Sequence, residues 1–516
     1  MAQPSGLTRH PCASLKSATI ESHQKKASHS VDPIVIVVAA VFAVFLFVQV
    51  HTHWRIGMFF IIAAGFLQDP FRKLVPGEPV AISAIVGVVM LFVWGMGFGQ
   101  FGRHAQVMSV GVHHPSVVRA FAFFGAVVFL QAMVTLLSYG SLPLAGIGLI
   151  AYLSPLPAIW VGWWFCRTDK DYLQLALTYV AFAVAVATTV FLSWQGGAEW
   201  ALLKQVGDQA DILVFYGDAG IITMHTGLMR APEVTAWHLG AATCIAIVLA
   251  TLRPTAVKAA ALAFIIAFLI AAIYLTGRRK ALGMIVVFTG LLIVLLQFSR
   301  HRDARSTAIA LLGVAAAAVG AASFLSDSLA DGAGFRAYSE RGDSAVGDAW
   351  ERFYSLGISS IGWAIDAAGF FGAGAGVVSQ GGQHFGSDEN LVGAGEGGLA
   401  KIIIELGVPG LVVVAWVLTV LVRTVRRLLA FADQSRAQAV VVTNALSAFL
   451  VTNMILFVTA SQVFGDPFVL ILLGILFGAL LATPRLLAST RAVAPAQGAI
   501  PAAPALSTAR FGKLQG

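Results

Sequence analysis

The sequence predicts an all-α polytopic membrane protein of about 12 transmembrane helices, and three observations carry that expectation. Hydrophobic residues make up 58% of the 516-residue chain and charged residues only 11%, against roughly 25% charged in a soluble protein. Apolar runs of roughly 17 to 25 residues, long enough to cross a bilayer, recur along most of the chain. Arginine and lysine collect in the short connections between them, as the positive-inside rule requires of cytoplasmic loops.

The runs lie near 34–50, 79–97, 118–138, 142–165, 172–192, 233–251, 258–276, 281–298, 306–325, 398–422, 438–460 and 466–483. Residues 1–33 are polar and hold Lys16, Lys25 and Lys26, so a cytoplasmic disordered tail is expected there and no cleavable signal peptide. The membrane domain then occupies 34–483, and residues 484–516, rich in Ala, Pro and Ser, read as a second disordered cytoplasmic tail. A thirteenth run, Ile56 to Leu67, has only 12 residues before "QDPFRKLVPGEP". It is short for a crossing and is expected to be re-entrant or interfacial.

The connections "LRPTAVK", "QFSRHRDAR" and "VRTVRRLLAFADQSR" are basic, as are both tails. Placing all of them in the cytoplasm requires an even number of crossings before Arg253, which omitting the thirteenth run satisfies. Two long loops, about 193–232 and 326–397, then face outward. The second lies between the ninth helix and the last three. It holds Arg336, Arg341 and Arg352 against ten carboxylates (Asp327, Asp331, Glu340, Asp343, Asp348, Glu351, Asp366, Asp388, Glu389 and Glu396).

The net charge of +8 follows from the basic connections, and no basic patch is interleaved with aromatics in the manner of a nucleic-acid surface. Cys12, Cys166 and Cys244 form no CxxC, which argues against a disulfide framework or a structural zinc site. No repeat relates the two halves, which weighs against an inverted-repeat transporter. "RTDKD" offers Asp169-x-Asp171, but in a cytoplasmic connection it reads as a solvated turn and not as a metal-binding pair.

One turn breaks the charge rule. "LTGRRKALG" sets Arg278, Arg279 and Lys280 between two membrane helices whose other ends are cytoplasmic, so it must face outward. A bound anion explains three consecutive outward cations, because a guanidinium grips phosphate oxygens in a two-pronged, charge-assisted fork. The competing explanations are snorkelling at a helix end and pairing with the acidic loop. Arg230 sits similarly, in "GLMRAPEVTAWHLG", where Pro232 and Glu233 suit the first turn of the next helix. His238, one to two turns deeper, reads as a packing histidine.

In the long loop, "AVGDAWERFYSLGISSIGWAI" puts Val346, Trp350, Phe353, Tyr354, Ile358, Ile361 and Ile365 on one face of an amphipathic helix. Its Arg352 either touches substrate or pairs with Asp348. Seven glycines follow in the eighteen residues from Gly369 to Gly386, without the GK[ST] ending of a phosphate-cradling loop. They allow close backbone approach or a mobile loop over a site. His384 within them is a candidate acid or base or a solvated loop residue. The loop closes on "AGEGGLAKIIIELGVPGL", with Glu396 at the outer mouth and Lys401 and Glu405 spaced to pair along the next helix.

An outer arginine before one helix, an outer arginine-rich turn, a long late loop and "ENLVGAGEGGLAKIIIELGVPGL" in that order resemble the O-antigen ligase and polysaccharide polymerase family, over about 34–483. The resemblance implies a twelve-helix GT-C-like glycosyltransferase of the bacterial inner membrane. It also implies an undecaprenyl-diphosphate-linked oligosaccharide as donor, with inverting transfer at the periplasmic face and neither metal nor cofactor. Pathway partners would be a chain-length regulator and a flippase. Arg230 matches the family's arginine in the first large outer loop, and Arg278 or Arg279 that of its "SR-G/A" turn. In ligases a histidine stands nine residues before the Glu of "ELG"; here that Glu is Glu405 and the position holds Glu396. The replacement favours a polymerase in which Glu396 is the general base. A ligase moving finished glycan to lipid or protein, and a transporter of the same lipids, are the alternatives.

Overall fold

The computed structural model describes residues 44–45, 47–101, 110–206, 213–215, 221–252, 255–311, 351, 353–379, 382–385, 397–434 and 437–493. Its principal helices are α1 (Ile56–Leu74), α2 (Ile85–Phe101), α3 (Pro115–Tyr139), α4 (Leu142–Leu153), α5 (Pro155–Phe165), α6 (Asp169–Trp194) and α7 (Pro232–Thr251). They continue with α8 (Ala256–Leu275), α9 (Lys280–Gln297), α10 (Ser360–Ala368), α11 (Gly398–Ala432), α12 (Ala437–Thr459) and α13 (Pro467–Val493). A short antiparallel ribbon, β1 (Leu213–Phe215) and β2 (Ile221–Thr223), pairs Val214 with Ile222 in the loop between α6 and α7.

Among the described residues ten helical stretches are long and apolar enough to cross a membrane, so the chain is a multi-pass membrane protein. They coincide with ten of the twelve apolar runs, α4 and α5 forming one stretch interrupted at Ser154. The runs 34–50 and 306–325 lie largely outside the described residues. α7 and α13 form the centre, with 72% and 78% of their apolar windows buried by protein, whereas α8 buries only 17% and lies at the periphery. α13 packs closely on α5 because Gly162 and Gly478 leave room for the facing backbone, the small-residue contact typical of membrane helices.

The helices share two charged ends. At the arginine-rich end Arg55 pairs with Asp171, Arg485 donates to the Trp163 carbonyl, and Ser299 donates to Asp433 at 2.6 Å. Asp171 also closes a capping box with Thr168, so it is a buried helix cap and not the solvated turn expected of "RTDKD". At the opposite end Arg230 lies between Asp69 and Asp466, and Arg278 pairs with Glu233.

Two expectations are corrected here. The short thirteenth run is the first part of α1, which has 19 residues and therefore extends about 28 Å. It runs from the Arg55–Asp171 pair to Lys73, whose Nζ donates to the carbonyls of Gly227 at 2.7 Å and Leu202 at 3.1 Å. α1 is therefore longer than the apolar run indicated, and its polar second half finds partners inside the protein. At the other terminus, α13 stays helical to Val493, ten residues past Thr483, so the second tail starts later than composition indicated.

The glycine-rich segment is not a mobile cover. It packs into a break in α11, where Gly407 has φ 72° and Pro409 follows. The Val408 N–H donates to Phe370 O at 2.9 Å and the Ala373 N–H to Ile404 O at 2.7 Å. From α3, Gln131 donates to Phe371 O at 2.9 Å and Thr135 to Ala375 O at 2.7 Å. A Cβ at Gly407 would collide with the Phe371 backbone, so the glycines serve close approach. The amphipathic segment is a π-helical turn, Phe353–Ser359, leading into α10. It buries Gly357 and Ala364, half-buries Phe353, Ile361 and Ile365, and leaves Tyr354, Ile358 and Trp363 exposed at the protein surface.

Candidate functional site

Gly277, at φ 65°, ends α8 in the left-handed conformation that glycine adopts without strain, and Arg278 N–H donates to Thr276 Oγ1 at 3.2 Å. The chain then restarts as α9 at Lys280, with Arg279 as the N-cap. Cations at a helix N-terminus oppose the helix dipole and need compensation. Lys280 obtains part of it by donating from Nζ to Thr459 O, at the last turn of α12, at 3.2 Å. Arg278 Nη2 lies 3.0 Å from Glu233 Oε2 in the first turn of α7. The buried Arg278 Nε has no hydrogen-bond partner among the described residues.

These groups surround a cavity of about 390 Å³ lined by Glu233, Trp237, Arg278, Arg279, Lys280 and Gln462, with Phe353 on its wall. Among the described residues three cations and one carboxylate line it. The site takes hydrogen-bond donors from the α8–α9 turn and an apolar wall from α7, α9 and α12. Its chemistry suits a dianion attached to an apolar body.

Arg230 stands apart from this cavity. Its Nη2 lies 2.9 Å from Asp466 Oδ2, Nη1 lies 4.0 Å from Asp69 Oδ1, and its N–H donates to Asp69 Oδ2 at 2.9 Å. Burial alone would lower its pKa, but the Asp466 and Asp69 carboxylates outweigh that and raise it, so the guanidinium stays charged. Arg230 therefore ties α1, α7 and α13 together and acts on the cavity through Glu233, which it also feels electrostatically. Asp466 Oδ1 accepts from Phe468 N–H at 2.7 Å, capping α13.

Glu396 and Arg352 lie outside the described residues. Their neighbours approach the site from two directions: Phe353 lines the cavity, and Gly397 packs on Leu356 three residues further along the same turn. His384 falls in the single turn Gly382–Phe385, whose Phe385 carbonyl accepts from Ser141 at the head of α4 at 3.1 Å. No residue of α4 lines the cationic cavity, so the structure does not bring the His384 turn to it.

Lys401 and Glu405 are not paired directly. Ser379 Oγ stands between them, accepting from Lys401 Nζ at 3.0 Å and donating to Glu405 Oε1 at 2.9 Å. Val378 N–H donates to the same oxygen at 3.0 Å and Tyr152 OH to Oε2 at 2.6 Å. Glu405 is fully enclosed, and the cluster fastens the glycine-rich segment to α4 and α11. His238 is enclosed as well, stacked on Phe468 at 4.7 Å with Nδ1 2.7 Å from Tyr179 OH. Sequence reasoning missed Asp466 and the Glu233–Arg278 pair. Asp466 was legible as an Asp before a proline helix start; the pair joins distant segments and left no local signal.

Searches against family models and curated proteins return no match for this chain. Fold and cavity define a multi-pass membrane protein with a half-buried cationic site at the end opposite its arginine-rich connections.

Proposed function

We propose that this protein is a polymerase of undecaprenyl-diphosphate-linked glycan repeat units, a GT-C-like glycosyltransferase of the bacterial inner membrane working at the periplasmic face. The observation that carries the reading is the cavity lined together by Arg278, Arg279, Lys280 and Glu233, at the end away from the arginine-rich loops. By the positive-inside rule that end faces the periplasm, and the C-terminus lies in the cytoplasm. Its three cationic side chains complement a diphosphate, and the apolar wall complements the lipid that carries it.

In the reaction, an acceptor sugar hydroxyl attacks the anomeric carbon of the donor from the face opposite the diphosphate. The bond from that carbon to the diphosphate oxygen breaks, and its electron pair leaves with the diphosphate. Arg278, Arg279 and Lys280 hold the charge that develops there. The hydroxyl proton passes to the Glu396 carboxylate as general base, a contribution of roughly 10² to 10⁴ in rate. Arg352, adjacent in sequence to the cavity-lining Phe353, would assist the same anion.

The test is reconstitution with a lipid-diphosphate-linked oligosaccharide. A polymerase releases free lipid diphosphate and leaves a longer glycan on the remaining lipid. A ligase releases the same lipid only when a separate acceptor is supplied. Movement of intact donor between leaflets without release would refute transfer chemistry altogether.

A further inference from the structure

A second cavity, of about 270 Å³, lies at the arginine-rich end among α6, α7, α12 and α13. It is a space separate from the cationic cavity. Phe449 is its innermost residue on α12, with the Phe288 ring at 6.2 Å, and Trp237 of the cationic cavity stands beyond Phe449 at 6.3 Å.

The mouth of this second cavity is polar and its depth is not. Asp169 at the start of α6, Gln438 at the start of α12 and Thr483 on α13 line it at the arginine-rich end. Asp169 and Gln438 are exposed, and Leu173, one turn below Asp169, is 45% exposed, so the space is open there. Further in, Ala445, Leu472 and Leu476 are buried. Apart from the Cys244 thiol, the polar groups of the inner wall are already engaged. Tyr172 OH donates to Ala479 O at 2.7 Å, and Tyr179 OH stands 2.7 Å from His238 Nδ1. Water lacks the polar partners it needs in such a space, whereas hydrocarbon is the surrounding solvent.

The dimensions select the kind of hydrocarbon. Along α6 the lining runs from Asp169 to Tyr179, and along α12 from Gln438 to Phe449, in each case about 15–16 Å at the helical rise. One leaflet of a bilayer is roughly 15 Å of hydrocarbon, the reach of a single acyl chain from its headgroup. The charge at the mouth selects the head. A free fatty acid would set its carboxylate beside that of Asp169, while a headgroup ammonium is attracted to it.

We infer that this cavity binds one acyl chain of a phospholipid from the leaflet at the arginine-rich end, with an ammonium-bearing headgroup at Asp169. Such a lipid is distinct from the glycosyl donor, and the site stands whether or not the cationic cavity takes a diphosphate. By filling the space between α6 and α12 only in the folded protein, the lipid stabilises it by mass action.

The measurement is native mass spectrometry of the full-length protein, stripped of lipid in detergent and then given phosphatidylethanolamine or phosphatidylglycerol with identical acyl chains. The native protein should retain one phosphatidylethanolamine, preferred about tenfold over phosphatidylglycerol. Asp169→Lys should reverse that preference, and Ala445→Trp, which fills the inner end, should abolish retention of both. Retention in Ala445→Trp equal to native overturns the acyl site. A headgroup preference that is absent in the native protein, or untouched by Asp169→Lys, overturns the assignment at the mouth. Displacement of the phospholipid by an equal concentration of palmitate makes the occupant a fatty acid and overturns the phospholipid. A readout on the native protein alone is phosphatidylethanolamine with a photoreactive group at the acyl terminus. It should label residues near Phe449 or Leu472, and labelling confined to outward-facing positions such as Phe264 or Phe129 contradicts the site.

Discussion

Replacing Glu233 by Gln should strengthen anion binding in the cationic cavity. In the unliganded protein Glu233 Oε2 sits 3.0 Å from Arg278 Nη2, so an incoming phosphate oxygen must compete with a carboxylate already in place. Two unit charges near 4 Å interact by about 4 kcal/mol at an effective dielectric of 20. The pair is about a quarter exposed on each side, and solvent screening and desolvation discount that figure to about 1–1.5 kcal/mol. Gln keeps the side-chain shape and raises the local charge by one unit, so pyrophosphate should bind about tenfold more tightly. The same change should help inorganic monophosphate more in proportion, narrowing the preference for a diphosphate. At the N-terminal turn of α7 the lost carboxylate costs about 0.3–1 kcal/mol of stability, too little to unfold the protein. Titration calorimetry at fixed ionic strength, on native protein, Glu233→Gln and Arg278→Ala, measures the binding of both anions, and thermal unfolding measures the stability cost. Unchanged or weaker pyrophosphate binding in Glu233→Gln would refute the competition argument.

Other outcomes follow from the same geometry. Glu405→Ala strands the buried Lys401 and removes the acceptor for Tyr152, Ser379 and Val378; it should cost about 3–5 kcal/mol, read as a large fall in melting temperature. Burial depresses the pKa of His225 from 6.5 to about 4, in the loop where its N–H donates to Leu275 O. Its stabilising contribution is complete above pH 6.5 and falls by up to about 1.4 kcal/mol per pH unit as the pH drops toward 4. His225→Gln should flatten that slope, and an identical thermal-stability profile in the variant would show that His225 does not titrate as described. For orientation, a cysteine at Ala201 should react with an impermeant reagent from the periplasm and one at Gln434 should not. The reverse pattern would place the cationic cavity in the cytoplasm. Ser379 is unsuitable as such a probe, being enclosed by Glu405 and Lys401.

The membrane helices were legible because an apolar run of spanning length has few other fates in a chain so poor in charge. α1 was misjudged for a definite reason. Asp69 and Lys73 read as the end of the membrane segment, yet their partners are Arg230 and Gly227, 161 and 154 residues further along the chain. No local pattern announces such a partner. The cationic turn was legible as three adjacent cations in a connection that the charge rule expects on the outer side. Its restraint by Glu233 was not, because hydropathy assigns Glu233 only a favourable place near a helix N-terminus. The glycines announced close backbone approach; that they carry Ser379 between Lys401 and Glu405 emerges only when α11 breaks at Gly407 and admits the segment.

The most direct test of a diphosphate-binding transferase site is the rate of lipid-diphosphate release from a lipid-linked oligosaccharide in proteoliposomes, for the native protein and for the Arg278→Ala, Arg279→Ala double variant. Removing two donors to the departing diphosphate should slow release at least a hundredfold, with reconstituted protein and melting temperature near native. Release at the native rate by the well-folded double variant would contradict the assignment and place the chemistry away from the α8–α9 turn.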